Sequence, residues 1–178
     1  ASDVYKRQGT PDTPVCLFSA SKIVTAMLIH LLNEQGQLNL LDPISHYIPE
    51  YAVNGKQRAT IFHLLAHRGG IPRIDSQVTP ELLFDKHQIL EQLYAARPVS
   101  ASGTHLAYHA VTAGYILGEI IKRVTGQTAR EFLAENIEKP MGLDYFNYGL
   151  KPEYRADVAL NYATGLHPRL GTCLLYTS

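Results

Sequence analysis

The 178-residue chain has no tryptophan, only two methionines and only two cysteines. Cys16 and Cys173 make neither a disulfide framework nor a zinc spacing, and they leave the redox compartment open. A chain of this size buries roughly two-thirds of its unfolded surface and needs no such staple. Charge is also scarce. Charged residues make up 18% of the chain, below the usual ~25%, and sixteen Lys and Arg balance sixteen Asp and Glu. With no basic patch, nucleic acid and anionic membrane are poor partners. The longest apolar stretch, Ile23 to Leu32, is ten residues interrupted by Thr25 and His30, too short to span a bilayer. No G-x-S-x-G elbow, P-loop or G-x-G-x-x-G occurs, which argues against an α/β-hydrolase, a nucleotidase and a dinucleotide enzyme. What remains is a globular composition, 46% hydrophobic, at the length of one domain.

The ends differ from the body. The chain opens with Ala1, and no apolar signal core follows Lys6 and Arg7. Residues 1–8 and 173–178 read as non-native tails resembling linker scars, with frayed native termini as the alternative. Residues 9–172 then form a partial domain, and the chain reads as a fragment. Neither compartment nor oligomeric state can be read from it.

The body reads as mainly α. Ser19 to Gln35 carries apolar residues on nearly every face, the pattern of a helix buried all round, with Gly36 as its stop. Leu38 to Pro43 reads as an extended piece and turn. A short helix follows Thr60 and ends toward Gly69 and Gly70. Thr79 and Pro80 open another that runs to about Ala96. A fourth spans about His109 to Val124, its stripe formed by Ala110, Ala113, Leu117, Ile120 and Ile121, with Glu119 facing out. Thr128 to Glu131 is a capping box opening a fifth, which buries Phe132, Leu133 and Ile137. Tyr145 to Tyr154 is turn-rich, with room for one short strand.

The candidate nucleophile is Ser19. Ser19, Ala20, Ser21 and Lys22 form an S-x-x-K motif at a helix start. Residues i and i+3 share a helix face, so the lysine amine reaches the serine hydroxyl. The helix N-terminus favours negative charge on the serine oxygen. An amine held in a dry pocket gives up its proton more readily, which suits a general base. Eight serines and seven lysines in this length give about 0.3 such pairs by chance, so the motif alone is weak. The other reading is an N-cap serine beside an unrelated lysine. Ser21 lacks the i+3 geometry and is placed on the helix wall.

The surrounding blocks carry more. Asn33 to Glu50 (with Gly36, Leu41, Asp42 and Pro43), His63-Leu64-Leu65-Ala66-His67-Arg68-Gly69-Gly70-Ile71-Pro72, Gly103 to Ala110 and Gly114 to Ile121 follow one another. In order and approximate spacing, from about Thr13 to Gly165, they resemble the serine β-lactamase-related family of class C β-lactamases, related esterases and D-Ala-D-Ala carboxypeptidases. The resemblance implies the helical portion of an α/β β-lactamase/transpeptidase-like fold whose antiparallel sheet is largely missing here. It implies an acyl-transfer serine hydrolase acting on a small ester or amide, without cofactor or metal. Ser19 is cast as nucleophile, Lys22 as its activating amine and Tyr108 as the second motif's tyrosine, whose phenol moves protons. By its own residues, Tyr108 reads equally as a loop anchor.

Two departures matter. The family's Y-x-N has Ala110 in its third position, a variant similar to the esterase-like branch, which puts β-lactam hydrolysis in doubt. No K-T-G or H-x-G triplet lies downstream of Tyr108, so the strand supplying the second oxyanion donor has no match; one such donor is typically worth about a hundred- to a thousand-fold in rate. A penicillin-binding or D-Ala peptidase relative, and a non-catalytic helical binding module, are the alternatives. His63 and His67 form an i, i+4 pair, but Leu64 follows His63 and no third ligand is evident, so packing is preferred to metal. His30 reads as a hydrogen-bonded core histidine, Cys16 as a small buried hydrophobe, and His109 as either site mouth or exposed surface.

Overall fold

Two fourteen-residue helices, α1 (Ser21–Glu34) and α6 (Thr112–Thr125), pack on each other at the centre of the molecule. The computed structural model describes residues 9–74 and 79–161; the segments 1–8 and 173–178, read above as tails, lie outside the described residues. Between the central helices come α2 (Ile44–Tyr47), α3 (Ile61–Leu65), α4 (Pro80–Phe84) and α5 (Lys86–Ala95). After them, α7 (Ala129–Leu133) runs through a π-helical stretch, Ala134–Glu138, into α8 (Lys139–Met141). Among the described residues the only β pairing is an isolated antiparallel bridge between Pro43 and Thr60.

One core joins these helices. Leu28, Ile29 and Leu32 of α1 meet Ile116, Ile120 and Ile121 of α6, with Ile61, Ile89, Leu93, Phe132 and Leu133 closing the sides. Each fully buried aliphatic side chain contributes about 1.5–3 kcal/mol relative to exposure. Local signals set the ends. Gly36 takes φ +69° just beyond α1, Gly126 takes φ +76° after α6, and Thr128 and Glu131 form the expected reciprocal cap of α7.

Several expectations are corrected. α1 is not buried all round: Ile23 is 74% exposed and Met27 and His30 also face out, because α6 and α7 cover one side only. His30 is therefore not a core histidine. The helix expected from Thr79 to Ala96 is two, broken at Asp85, whose carboxylate caps α5 by accepting from the Gln88 N–H at 3.0 Å. The helix expected from His109 starts at Thr112, because Val111 ahead of it takes a non-helical φ of −121°; Ala110 thus lies outside it. Glu119 faces inward, 8% exposed, and accepts 2.9 Å contacts from Lys86 and Arg123; Arg123 also reaches Glu50 at 3.0 Å. Ile137 is only partly buried. Residues 145–154 hold turns and a 3₁₀ turn, Pro152–Tyr154, rather than a strand, since their backbone bonds close locally. Cys16 is exposed, beside an open cavity of about 340 Å³ between residues 14–18, α1 and residues 145–150.

Candidate active site

Ser19 lies in the 3₁₀ turn Phe18–Ala20 that leads directly into α1, two residues before the helix proper. Phe18 adopts φ +47°, in the left-handed region, where a bulky residue carries strain on the order of 1–3 kcal/mol. The turn is braced by the Ser21 hydroxyl, which donates to the Phe18 carbonyl at 2.7 Å, and by the Ala20 N–H on Leu17 O at 3.0 Å. Because the turn merges into α1, Lys22 rises above Ser19. Its Nζ donates to Ser19 Oγ at 3.3 Å.

Tyr108 reaches the same atom from the loop ahead of α6, and its O–H donates to Ser19 Oγ at 2.8 Å. Lys22 Nζ stands 5.2 Å from the Tyr108 ring centroid. Ser19, Lys22 and Tyr108, the three residues singled out from sequence, thus meet around one oxygen. Hydrogen bonding to Ser19 holds the Tyr108 phenol below its usual range, and the Lys22 ammonium acts in the same direction by hydrogen bond and by charge. Both Ser19 and Tyr108 are exposed, Tyr108 at 37%, so the site is open to solvent.

The exit of α3 holds the Tyr108 loop in place. His63 caps α3 with Thr60: Thr60 Oγ1 accepts from the His63 N–H at 3.1 Å, and His63 Nδ1 accepts from the Thr60 N–H at 3.3 Å. The helix stops at Leu65 rather than near Gly69, and His67 takes φ +57° beyond it. His63 and His67 therefore do not share a helical face as their spacing suggested. The two loops then pair: Gly103 N–H on Arg68 O at 2.9 Å, Val99 N–H on Gly70 O at 2.9 Å, and Ala107 N–H on His67 O at 3.0 Å. A Cβ on Gly70 would meet Ser100 O at 2.5 Å, and one on Gly103 would meet His63 Nε2 at 2.9 Å. Among the described residues no group of His, Cys, Asp and Glu is placed to hold a metal ion.

His109, left between site mouth and surface by the sequence, is neither. It is 1% exposed, and its Nε2 accepts from the Ile71 N–H at 3.2 Å while Nδ1 donates to Ala107 O at 2.6 Å. Burial lowers its imidazole pKa most, and neighbouring His67 adds to this against the Ala107 bond. His67 was missed as a contributor to the site, and the buried role of His109 beneath it was not foreseen. The available signal was a histidine followed by glycines past a helix end, the punctuation of a tight turn.

A serine oxygen with an amine and a phenol within hydrogen-bond reach is an arrangement suited to nucleophilic attack with proton transfer. The family model Beta-lactamase matches residues 3–174. The chain is 29% identical over 141 residues to the esterase/beta-lactamase LipL of Mycobacterium tuberculosis, covering 79% of this chain and 32% of that protein. It is 31% identical over 171 residues to a putative D-alanyl-D-alanine carboxypeptidase of Escherichia coli, covering 86% of this chain and 39% of that one. The crystal structure of a penicillin-binding protein homologue from Caulobacter crescentus superposes with a TM-score of 0.84 at 36% identity, over 90% of this chain and 44% of that one. The chain spans less than half the length of these proteins, and it belongs to the beta-lactamase family.

Proposed function

We propose that the protein carrying this chain is a serine hydrolase that forms and hydrolyses an acyl-enzyme, with an ester preferred over a β-lactam. The observation that carries this reading is the convergence of Lys22 Nζ and Tyr108 OH on Ser19 Oγ, at 3.3 and 2.8 Å. In the first half-reaction Ser19 Oγ attacks the carbonyl carbon, and its proton passes to the basic partner, the Tyr108 phenolate or the Lys22 amine. The same proton then goes to the departing alkoxide as the ester C–O bond breaks. In the second half a water attacks the acyl carbon, and Ser19 Oγ leaves and is reprotonated.

The ester preference is supported by Ala110, which offers no side-chain amide in the third position of the family's Y-x-N motif; the mycobacterial relative is named for both activities, esterase and beta-lactamase. The carboxypeptidase reading has its own support in the E. coli relative. We place the second oxyanion donor, and the antiparallel sheet behind it, in the part of the protein beyond this chain. On that basis the 178-residue chain alone has little or no turnover, since one missing donor is worth about a hundred- to a thousand-fold. The test is hydrolysis of p-nitrophenyl butyrate by the full-length protein, with Ser19→Ala beside it and a chromogenic cephalosporin and a D-Ala-D-Ala peptide as competing substrates. The expected result is ester turnover abolished by Ser19→Ala, with little β-lactam or peptide cleavage. Ester turnover that survives Ser19→Ala overturns the nucleophile, faster β-lactam hydrolysis overturns the preference, and faster peptide cleavage favours the carboxypeptidase reading.

A further inference from the structure

Tyr108 is the one member of the trio that does not sit on or beside α1, so something must fix its distance from Ser19. Both of its chain neighbours are tied to a single residue. The Ala107 N–H donates to the His67 carbonyl at 3.0 Å, and the His109 N–H donates to His67 Nδ1 at 3.2 Å. The His67 ring also meets the Tyr108 ring edge to face, with centroids 4.9 Å apart and planes at 66°. His67 therefore holds the backbone before Tyr108, the backbone after it, and the ring itself. Its left-handed backbone, φ +57°, accompanies the turn that presents carbonyl and imidazole to the same loop.

We propose that His67 is the positioning residue for the Tyr108 phenol, and that it works only as a neutral imidazole with its proton on Nε2. The reason is a donor and acceptor count. Nδ1 accepts a backbone N–H, so it carries a lone pair, and an imidazolium has none to offer. His109 has the opposite tautomer, with Nε2 accepting from Ile71 and Nδ1 donating to Ala107 O. The two rings stack with centroids 5.9 Å apart and planes at 24°. The titratable and charged groups around His67 are Lys22 from α1, Tyr108 and His109 from the facing loop, and its neighbour Arg68, whose guanidinium is turned to Gly103 O. Partial burial and the Lys22 charge both disfavour a proton on His67. The clamp is thus intact above the lowered His67 pKa and is lost as pH falls through it.

This rests on the hydrolase reading for its kinetic consequence, though not for its structural one, and the experiment separates them. Long-range ¹H–¹⁵N spectra of the histidines in the wild-type chain report tautomer without any turnover. At pH 7 they are expected to show His67 protonated on Nε2 and His109 on Nδ1. A proton on His67 Nδ1, or a charged His67 at that pH, overturns the proposal. In the full-length protein, His67→Leu is expected to lower kcat about ten- to a hundred-fold with little change in KM, as a misplaced group does. His67→Asn, whose side-chain oxygen replaces Nδ1 as acceptor, is expected to recover most of that loss and to move the acid limb of the kcat/KM profile to lower pH. A His67→Leu enzyme with the wild-type kcat, or an acid limb unmoved by His67→Asn, overturns the positioning role. Absence of any Ser19-dependent turnover instead overturns the hydrolase reading and leaves the tautomer result standing.

Discussion

α1 and α6 have the same length and lie against each other, yet they are covered very differently. α6 is two-sided. Its apolar stripe meets α1, α2, α3, α5 and α7, and at its edge Glu119 and Arg123 are tied to Lys86 and Glu50. α1 is apolar on nearly every face, but only Leu28, Ile29 and Leu32 are buried, while Ile23 and Met27 face out. An apolar stripe and a covered stripe coincide in α6 and do not in α1. Side-chain chemistry states what a helix can bury, and the neighbours decide what it does bury.

The comparison yields predictions of decreasing size. The largest effect is expected where both helices are fully enclosed. Ile29→Ala in α1 and Ile120→Ala in α6, both with no exposed surface, should each cost about 2–5 kcal/mol in urea unfolding. A marked inequality between them would mean that α1 is less firmly seated than its buried face implies. Next comes the ionic edge of α6. Burial pushes the Glu119 carboxyl up, but hydrogen bonds and charge from Lys86 and Arg123 outweigh it and hold the group below its usual range. A carboxylate with a depressed folded pKa stabilises the fold above its unfolded pKa of about 4.3 and loses that contribution as pH falls through the folded value. Glu119→Gln should therefore cost about 1 kcal/mol at pH 7 and flatten the loss of stability below pH ~4.3. Parallel acid unfolding curves for variant and wild type would remove Glu119 from the account. The smallest effect is expected on the open face of α1. Ile23→Gln should change stability by less than about 0.5 kcal/mol while reducing self-association in sedimentation, since it removes exposed apolar surface. A large stability loss would show that this face is covered after all.

The same contrast explains what the sequence disclosed. The stripe of α6 was legible because a 3.6-residue period with charges opposite has one physical solution. The caps at Thr79 and Thr128 were legible because their donors lie within three residues. The break at Asp85 was harder to see, since an apolar pattern runs across it and the capping carboxylate reads equally as a surface charge. Glu119 was placed outward because its partner Lys86 belongs to another helix, and no local pattern foretells that meeting. The site divides in the same way. Ser19 and Lys22 are neighbours on one turn, so spacing alone predicted their contact. Tyr108 needed the order of the family's blocks. His67, and the buried place of His109, escaped because their work is done by backbone N–H groups and ring nitrogens across two loops.

Gly70 and Gly103 determine how close those two loops come. Each fits only because it ends at its α-carbon: a methyl on Gly70 would collide with the Ser100 carbonyl, and one on Gly103 with the His63 ring. The glycines act as spacers of minimal thickness, and the clearance they set is passed along the loop to the phenol at Ser19. A methyl group at either position is expected to push the two loops apart without touching tyrosine or serine. A search for altered activity confined to residues lining the site would miss the two positions that calibrate it.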